Sequence, residues 1–345
     1  MFEEFGFETL TAPQAVVWFA LALGLAFGAL AQITRFCLRR ALVGEDRKQA
    51  AGVWLTALAV AVLGTQAAVA QGWIDFGDHR FMAADMPVLA IVVGGLMFGV
   101  GMVLTRGCIS RLTVLTASGN LRALTVVVIF AITAHAALKG VLSPLRTTLG
   151  SVTLPVDSAA LPGKPLIWTV VIAAAALLFA LRSGNRPVML ALAALIGLLV
   201  PLGWVGTGFL LYDDFDPIAM ESLAFTSPMT DALFFTVAST AIPAGFGTGL
   251  IGGVLLGALA AALLSRGFQW QSFSSPSETG RYLAGGALMG FGGVLAGGCT
   301  VGAGLSGIPT LSIAAILAVA SMAVGALATN RALGAVPAAR AHPAE

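Results

Sequence analysis

An apolar stretch of about 20 residues without charge leaves a chain few choices, because it is long enough to cross the hydrocarbon core of a bilayer as a helix. This sequence contains a succession of such stretches, at about residues 15–31, 50–69, 88–104, 122–139, 165–181, 187–204, 246–264, 282–296 and 311–328. Residues 232–245 are apolar but short and carry Pro243, which reads as a re-entrant segment rather than a span. Only 10% of the chain is charged and 58% is hydrophobic, whereas a soluble domain carries about 25% charge. Such a chain cannot cover a water-facing surface. The expected fold class is therefore an all-α integral membrane protein of about nine transmembrane helices plus re-entrant helix-loops, forming one transporter-like domain over residues 1–345.

Charge placement orients it. Arg35, Arg39, Arg40, Arg47 and Lys48 make the first loop the most basic, and Arg182 and Arg186 mark a second basic hairpin. The positive-inside rule puts these loops in the cytoplasm and the N-terminus outside. Asp75, Asp78 and Asp85, and later Asp213, Asp214, Asp216 and Glu221, then lie in outer loops, while Arg331 and Arg340 keep the C-terminus inside. The acidic start, Met1-Phe2-Glu3-Glu4, is unlike a signal peptide. A net charge of +2, distributed between apolar spans, gives no reason to expect a nucleic-acid partner.

One motif occurs twice. Gly94-Gly95-Leu96-Met97-Phe98-Gly99-Val100-Gly101-Met102-Val103-Leu104-Thr105-Arg106-Gly107-Cys108 aligns without a gap on the fifteen residues from Gly285 to Cys299. The offset is 299 − 108 = 191, and eight of the fifteen positions are identical, the cysteine and the glycine before it among them. This predicts an internal repeat, with halves at approximately 1–150 and 187–345. On the orientation above, the helix leading to Cys108 runs inward and the one leading to Cys299 runs outward. The copies would be inverted repeats meeting near the midplane, as in many transport proteins. Glycines four apart (Gly24 and Gly28; Gly249, Gly253 and Gly257; Gly286 and Gly290) predict close helix packing.

All three cysteines, Cys37, Cys108 and Cys299, end apolar runs; Cys37 has no repeat partner, and no Cys-x-x-Cys occurs. A Gly-Cys turn that ends a helix is irregular backbone at membrane depth, tolerated only if buried in protein or lining a cavity. Gly107 and Gly298 allow close backbone approach to a ligand, and the polar residues that follow, Ser110, Arg111 and Thr300, add hydrogen-bonding groups. Arg106 and Arg111 flank Cys108 and would attract an anion. A soft-anion path follows from these residue types, with backbone N–H groups for oxygen and S–H for sulfur. The thiols would act neutral, because burial disfavours the thiolate and a thiolate repels an anion. His135 reads as a packed, hydrogen-bonded residue. All sixteen carboxylates fall in termini, loops or span edges, which argues against a cation-coupling acid in the core. No Walker loop, metal-ligand box, cofactor motif or serine triad appears.

Residues 101–111, the run Gly119-Asn120-Leu121-Arg122-Ala123-Leu124, and residues 297–307 together resemble the YeeE/YedE family of bacterial sulfur-transport membrane proteins, over essentially the whole chain. Cys37 is similar to the family's first cysteine, although Arg35-Phe36 stands where the family has glycine-phenylalanine. The resemblance implies an hourglass-like helical protein of the bacterial cytoplasmic membrane that takes up thiosulfate. It further implies a relay through S–H contacts of the three cysteines, with Cys108 central, and a small cytoplasmic sulfur carrier of the TusA type as partner. Alternatives are another sulfur or selenium species, or a membrane thiol-redox or persulfide-transfer enzyme. The latter would want paired cysteines, and the linear spacing offers none.

Overall fold

The structure, a computed structural model, describes residues 11–335 apart from Asp78, Asp157 and Asp214. The acidic N-terminal stretch, Asp78, Asp214 and Arg340, used above to orient the chain, lie outside the described residues. Eight helical segments among the described residues are long and apolar enough to cross a membrane. The ninth expected span, α8 (Pro165–Leu181), has 17 residues and lies at the short end of the spanning range. The architecture is all-α.

In chain order the elements are α1 (Ala12–Thr34), α2 (Leu38–Val43), α3 (Arg47–Ala70), α4 (Val88–Leu104), α5 (Ile109–Ala117), α6 (Leu121–Lys139) and α7 (Ser143–Gly150). After α8 come α9 (Pro187–Val205), α10 (Ser227–Ala238), α11 (Phe246–Leu264), α12 (Pro276–Leu295) and α13 (Ile313–Ala335). The first half of the segment read as re-entrant belongs to α10, at 12 residues too short to span, and the rest is irregular. The loop between α6 and α8 is not wholly irregular. It holds α7, and its strand β2 (Leu154–Pro155) pairs antiparallel with β1 (Asp85–Met86), tying together two loops that carry acidic residues.

Helices in lipid gain nothing from burying apolar surface against each other, so they must pack closely. The four-residue glycine spacing does this. A Cβ on Gly24 would come within 2.9 Å of the Val254 backbone nitrogen, and one on Gly253 within 2.8 Å of the Leu25 nitrogen. Helices α1 and α11 thus touch backbone to backbone along their length, each supplying glycines to the other. Helices α4 and α13 meet at Gly95 and Gly99, and α12 meets α6 at Gly290. Helix α4 also lies against α12, where a Cβ on Gly292 would come within 2.7 Å of the Phe98 nitrogen. Gly297, four residues after Gly293, serves a turn instead: its φ is +75°.

A Cβ that must displace backbone is an overpacking change costing about 1–3 kcal/mol. Gly253→Ala should therefore lower the melting temperature of the detergent-solubilised protein, measured by monodisperse-peak loss on heating. Gly252→Ala, one residue along the same helix with nothing within 4 Å of its Cβ position, should leave it unchanged.

Candidate functional site

A helix that stops inside the fold exposes four unpaired amides at the next helix start. Three of the long segments are broken in this way. Helix α1 breaks before α2, α4 before α5, and α12 before a π-helical segment, Thr300–Gly307. Each break has the same construction. A residue in the left-handed region comes first: Arg35 (φ 53°), Arg106 (φ 58°) or Gly297 (φ 75°). Two residues later a cysteine in extended conformation occupies the N-cap position of the following helix: Cys37, Cys108 or Cys299, of which Cys299 accepts a hydrogen bond from a first-turn amide on its side chain. Cys37, which has no partner in the linear repeat, therefore shares the local geometry of the other two.

The fold brings these cysteines inside. Their relative exposures are 6% for Cys37, 1% for Cys108 and 0% for Cys299, and all three are free thiols. Cys37 Sγ lies 3.7 Å from Cys108 Sγ, although the residues are 71 apart in sequence. The linear spacing hid this pair. On its other side Cys108 Sγ is 3.3 Å from Ser110 Oγ. Cys299 Sγ accepts a hydrogen bond from the Gly302 amide at 3.3 Å, with the Phe225 and Val301 amides beside it. Thr300 faces Cys108 from the Cys299 side, and its buried hydroxyl makes no well-formed hydrogen bond.

Two cavities flank this core. The first, of about 230 Å³, lies on the acidic-loop face and is lined by His79, Arg80, Trp204, Glu221, Thr226 and the backbone of Gly298 and Gly302, among others. Its wall is held from several sides. Ser306 Oγ donates to Leu223 O at 2.6 Å, and Thr207 Oγ1 donates to Glu221 O and accepts from Glu221 N, at 2.8 and 2.9 Å. The second cavity, of about 620 Å³, opens on the basic-loop face between Gln32, Arg35, Arg111, Ser118 and Gln271. Arg111 is anchored there by donating to Ala31 O and Gln32 Oε1, both at 3.3 Å.

The other expected site residues divide. Gly298 lines the acidic-face cavity, and a Cβ on it would come within 2.8 Å of the Ala303 nitrogen, so close backbone approach is required there by the turn itself. Gly107 is looser, its Cβ position meeting only the Leu112 side chain at 3.2 Å. Arg106 is exposed and lines neither cavity. His135 stacks on Phe234 with ring centroids 3.7 Å apart.

Sequence reading missed the acidic-face groups. Glu221 sits in a loop, as all acids were expected to, yet it is enclosed with Arg80 and forms no ion pair with a described residue. Burial, then the neighbouring charge of Asp231, pushes its carboxyl up to about 7, against the pull of Arg80. Burial and Arg80 push His79 down to about 4, so it is neutral at physiological pH. No group of three or more His, Cys, Asp or Glu side chains able to hold a metal occurs among the described residues.

Known proteins are similar to this chain in sequence. Residues 32–328 fit the family described as Sulphur transport. The thiosulfate transporter TsuA of Spirochaeta thermophila is 26% identical over 344 aligned residues, covering 88% of this chain and 94% of that protein. The thiosulfate transporter TsuA of Escherichia coli is 27% identical over 319, covering 83% and 85%. With three cysteine breaks enclosed between two cavities, and a family match running from the first break through the last, this multi-pass membrane chain belongs to the Sulphur transport family.

Proposed function

We propose that the protein imports thiosulfate across the cytoplasmic membrane, from the acidic-loop face outside to the basic-loop face inside. The observation that carries this reading is the line of buried thiols between two cavities. The acidic-face cavity reaches Gly298 and Gly302 around Cys299, Thr300 bridges toward Cys108, Cys37 lies 3.7 Å beyond, and Arg111 waits in the basic-face cavity. Each cysteine hands the anion on through S–H contacts to its sulfur, while backbone amides at the helix starts and the hydroxyls of Ser110 and Thr300 face its oxygens. Hydrogen bonds to an anion are stronger than neutral ones, so a few such groups replace part of its water shell. The charge of Arg80 draws the dianion into the outer cavity, and that of Arg111 draws it out of the core.

The reciprocal packing supports an inverted repeat. If α4, α5 and α6 correspond to α12, the Thr300–Gly307 segment and α13, the contact of α4 with α13 has its counterpart in that of α12 with α6. The contact of α1 with α11 likewise has its counterpart in that of α9 with α3. The large polar cavity on the basic-loop face is the place for a small sulfur carrier of the TusA type to receive the ion.

Uptake of labelled thiosulfate into proteoliposomes tests the reading, with sulfate, sulfite and selenite as competitors. Thiosulfate should be preferred. Cys108→Ala and Cys108→Ser should both abolish uptake, because this sulfur touches Cys37 and Ser110 at once. Cys299→Ser should keep partial uptake, down by about 2- to 10-fold for one weakened hydrogen bond, and Cys299→Ala should do worse. A persulfide or mixed disulfide trapped at Cys108 during turnover, with Ser as inactive as Ala at all three sites, would overturn the non-covalent relay.

A pH dependence follows from Glu221. Its carboxyl titrates at about 7, so the neutral form prevails below that pH and the charged form above it. His79, near 4, does not change charge over this range. Asp231, raised by burial and facing Lys139 and His135, lies behind Glu221. Protonating Glu221 removes the negative charge that opposes anion entry beside Arg80. The apparent KM for thiosulfate should therefore fall as external pH drops from 8 to 6, and Glu221→Gln should hold KM low and flat across that range.

A further inference from the structure

The two faces of the path differ at one position. On the inner side, Phe36 and Cys37 precede α2, with Cys37 at the N-cap position. On the outer side, Phe225 and Thr226 precede α10; Thr226 stands next before the helix, as Cys37 does, but in helical rather than extended backbone. The offset is 226 − 37 = 189, close to the 191 that relates Cys108 to Cys299. Phe36 and Phe225 both pack on Phe27, with ring centroids 6.2 and 5.4 Å away. Where the inner half presents a thiol next to Cys108, the outer half presents a hydroxyl next to the segment bordering Cys299.

That hydroxyl is unused. A threonine before a helix ordinarily accepts a hydrogen bond from an amide of the first turn, yet Thr226 makes no such cap. Buried threonines elsewhere in this protein turn their hydroxyls onto a carbonyl of the preceding turn, as Thr34, Thr56, Thr105, Thr113 and Thr169 do. Thr226 is 6% exposed and its Oγ1 has no partner among the described residues. It lines the outer cavity together with Arg80, Gly298 and Gly302, and a Cβ on Gly293 would come within 3.4 Å of its oxygen. Buried polar atoms are almost always paired. One left free on a cavity wall, beside backbone kept bare by glycine, has the form of a group awaiting a ligand oxygen.

We propose that Thr226 is a substrate-binding residue of the outer cavity, donating its hydroxyl proton to an oxygen of the incoming oxyanion while the sulfur end turns toward Cys299. This rests on the transport reading above. The hydroxyl donates to an acceptor that an anion of sulfur and oxygen supplies, and its replacement of a thiol makes the path unequal at its two ends. Oxygen is held first, on the side where the ion loses water, and sulfur is held by the closely spaced thiols deeper in.

The test is uptake and binding of labelled thiosulfate by wild type, Thr226→Ser, Thr226→Val and Thr65→Val, in proteoliposomes and in detergent. Thr65 also has a buried hydroxyl without a partner but does not line the cavity. Thr226→Val, close to isosteric, should raise KM and the dissociation constant by about 10-fold, the loss of one charge-assisted hydrogen bond, with maximal rate little changed. Thr226→Ser should restore both, and Thr65→Val should match wild type. Unchanged affinity in Thr226→Val alongside normal wild-type uptake would overturn the role of Thr226 alone. Equal loss in Thr226→Ser and Thr226→Val would also overturn it, assigning the residue to packing. Failure of the wild type to bind or carry thiosulfate would overturn the transport reading and this inference together.

Discussion

Unpaired backbone amides at membrane depth are the constraint from which the rest of this structure follows. A transmembrane helix is stable because it satisfies its own hydrogen bonds, and breaking one inside the bilayer exposes polar groups that lipid cannot serve. This chain breaks three, each time through a left-handed residue and a cysteine at the next N-cap position. The breaks persist because they face one another in the protein interior, where thiols, threonine hydroxyls and cavity walls surround them. On the proposed reading, the polar groups so collected serve a dianion along its route, and the features that would destabilise an isolated helix become the binding path.

Electrostatics then divides the labour between the two faces. Arg80 and the titrating Glu221 set the charge of one cavity, while Arg35 and Arg111 set that of the other. Between them lies a core lined by thiols and hydroxyls, with no carboxylate among those described side chains. For the transport proposed above, attraction at the rims and weak binding between them would suit passage, since an ion bound tightly at the centre would not leave.

The spans, the glycine faces and the two Gly-Cys turns were legible in the sequence, because hydrophobic runs, four-residue spacing and a gapless repeat are all local patterns. The partnership of Cys37 with Cys108 was not, since tertiary folding alone closes a separation of 71 residues to 3.7 Å. The turn at Cys37 was obscured for a different reason. Left-handed backbone favours glycine, as at Gly297, whereas Arg35 and Arg106 adopt it without that marker. Arg106 looked like an anion ligand from its place in the motif; in the structure it forms the turn, is exposed and lines neither cavity. Glu221 and Thr226 belong to a loop with no pattern of its own. What encloses them is the Thr207 and Ser306 hydrogen bonding, which joins parts of the chain 14 and 83 residues apart.

The glycine contacts between α1 and α11, and between α4 and α12, have a mechanical consequence. Each joins an early helix to a late one at glycines where backbone meets backbone, with Leu295 and Met289 also wedged into the α4–α12 seam. Close-packed surfaces of this kind do not slide by small amounts. The two ends of the chain are thus locked into one frame, and swinging one half against the other would tear both seams at once. Motion during a transport cycle is left to what the frame does not grip: the short helices behind each cysteine, the rotamers of the thiols, and the ion itself.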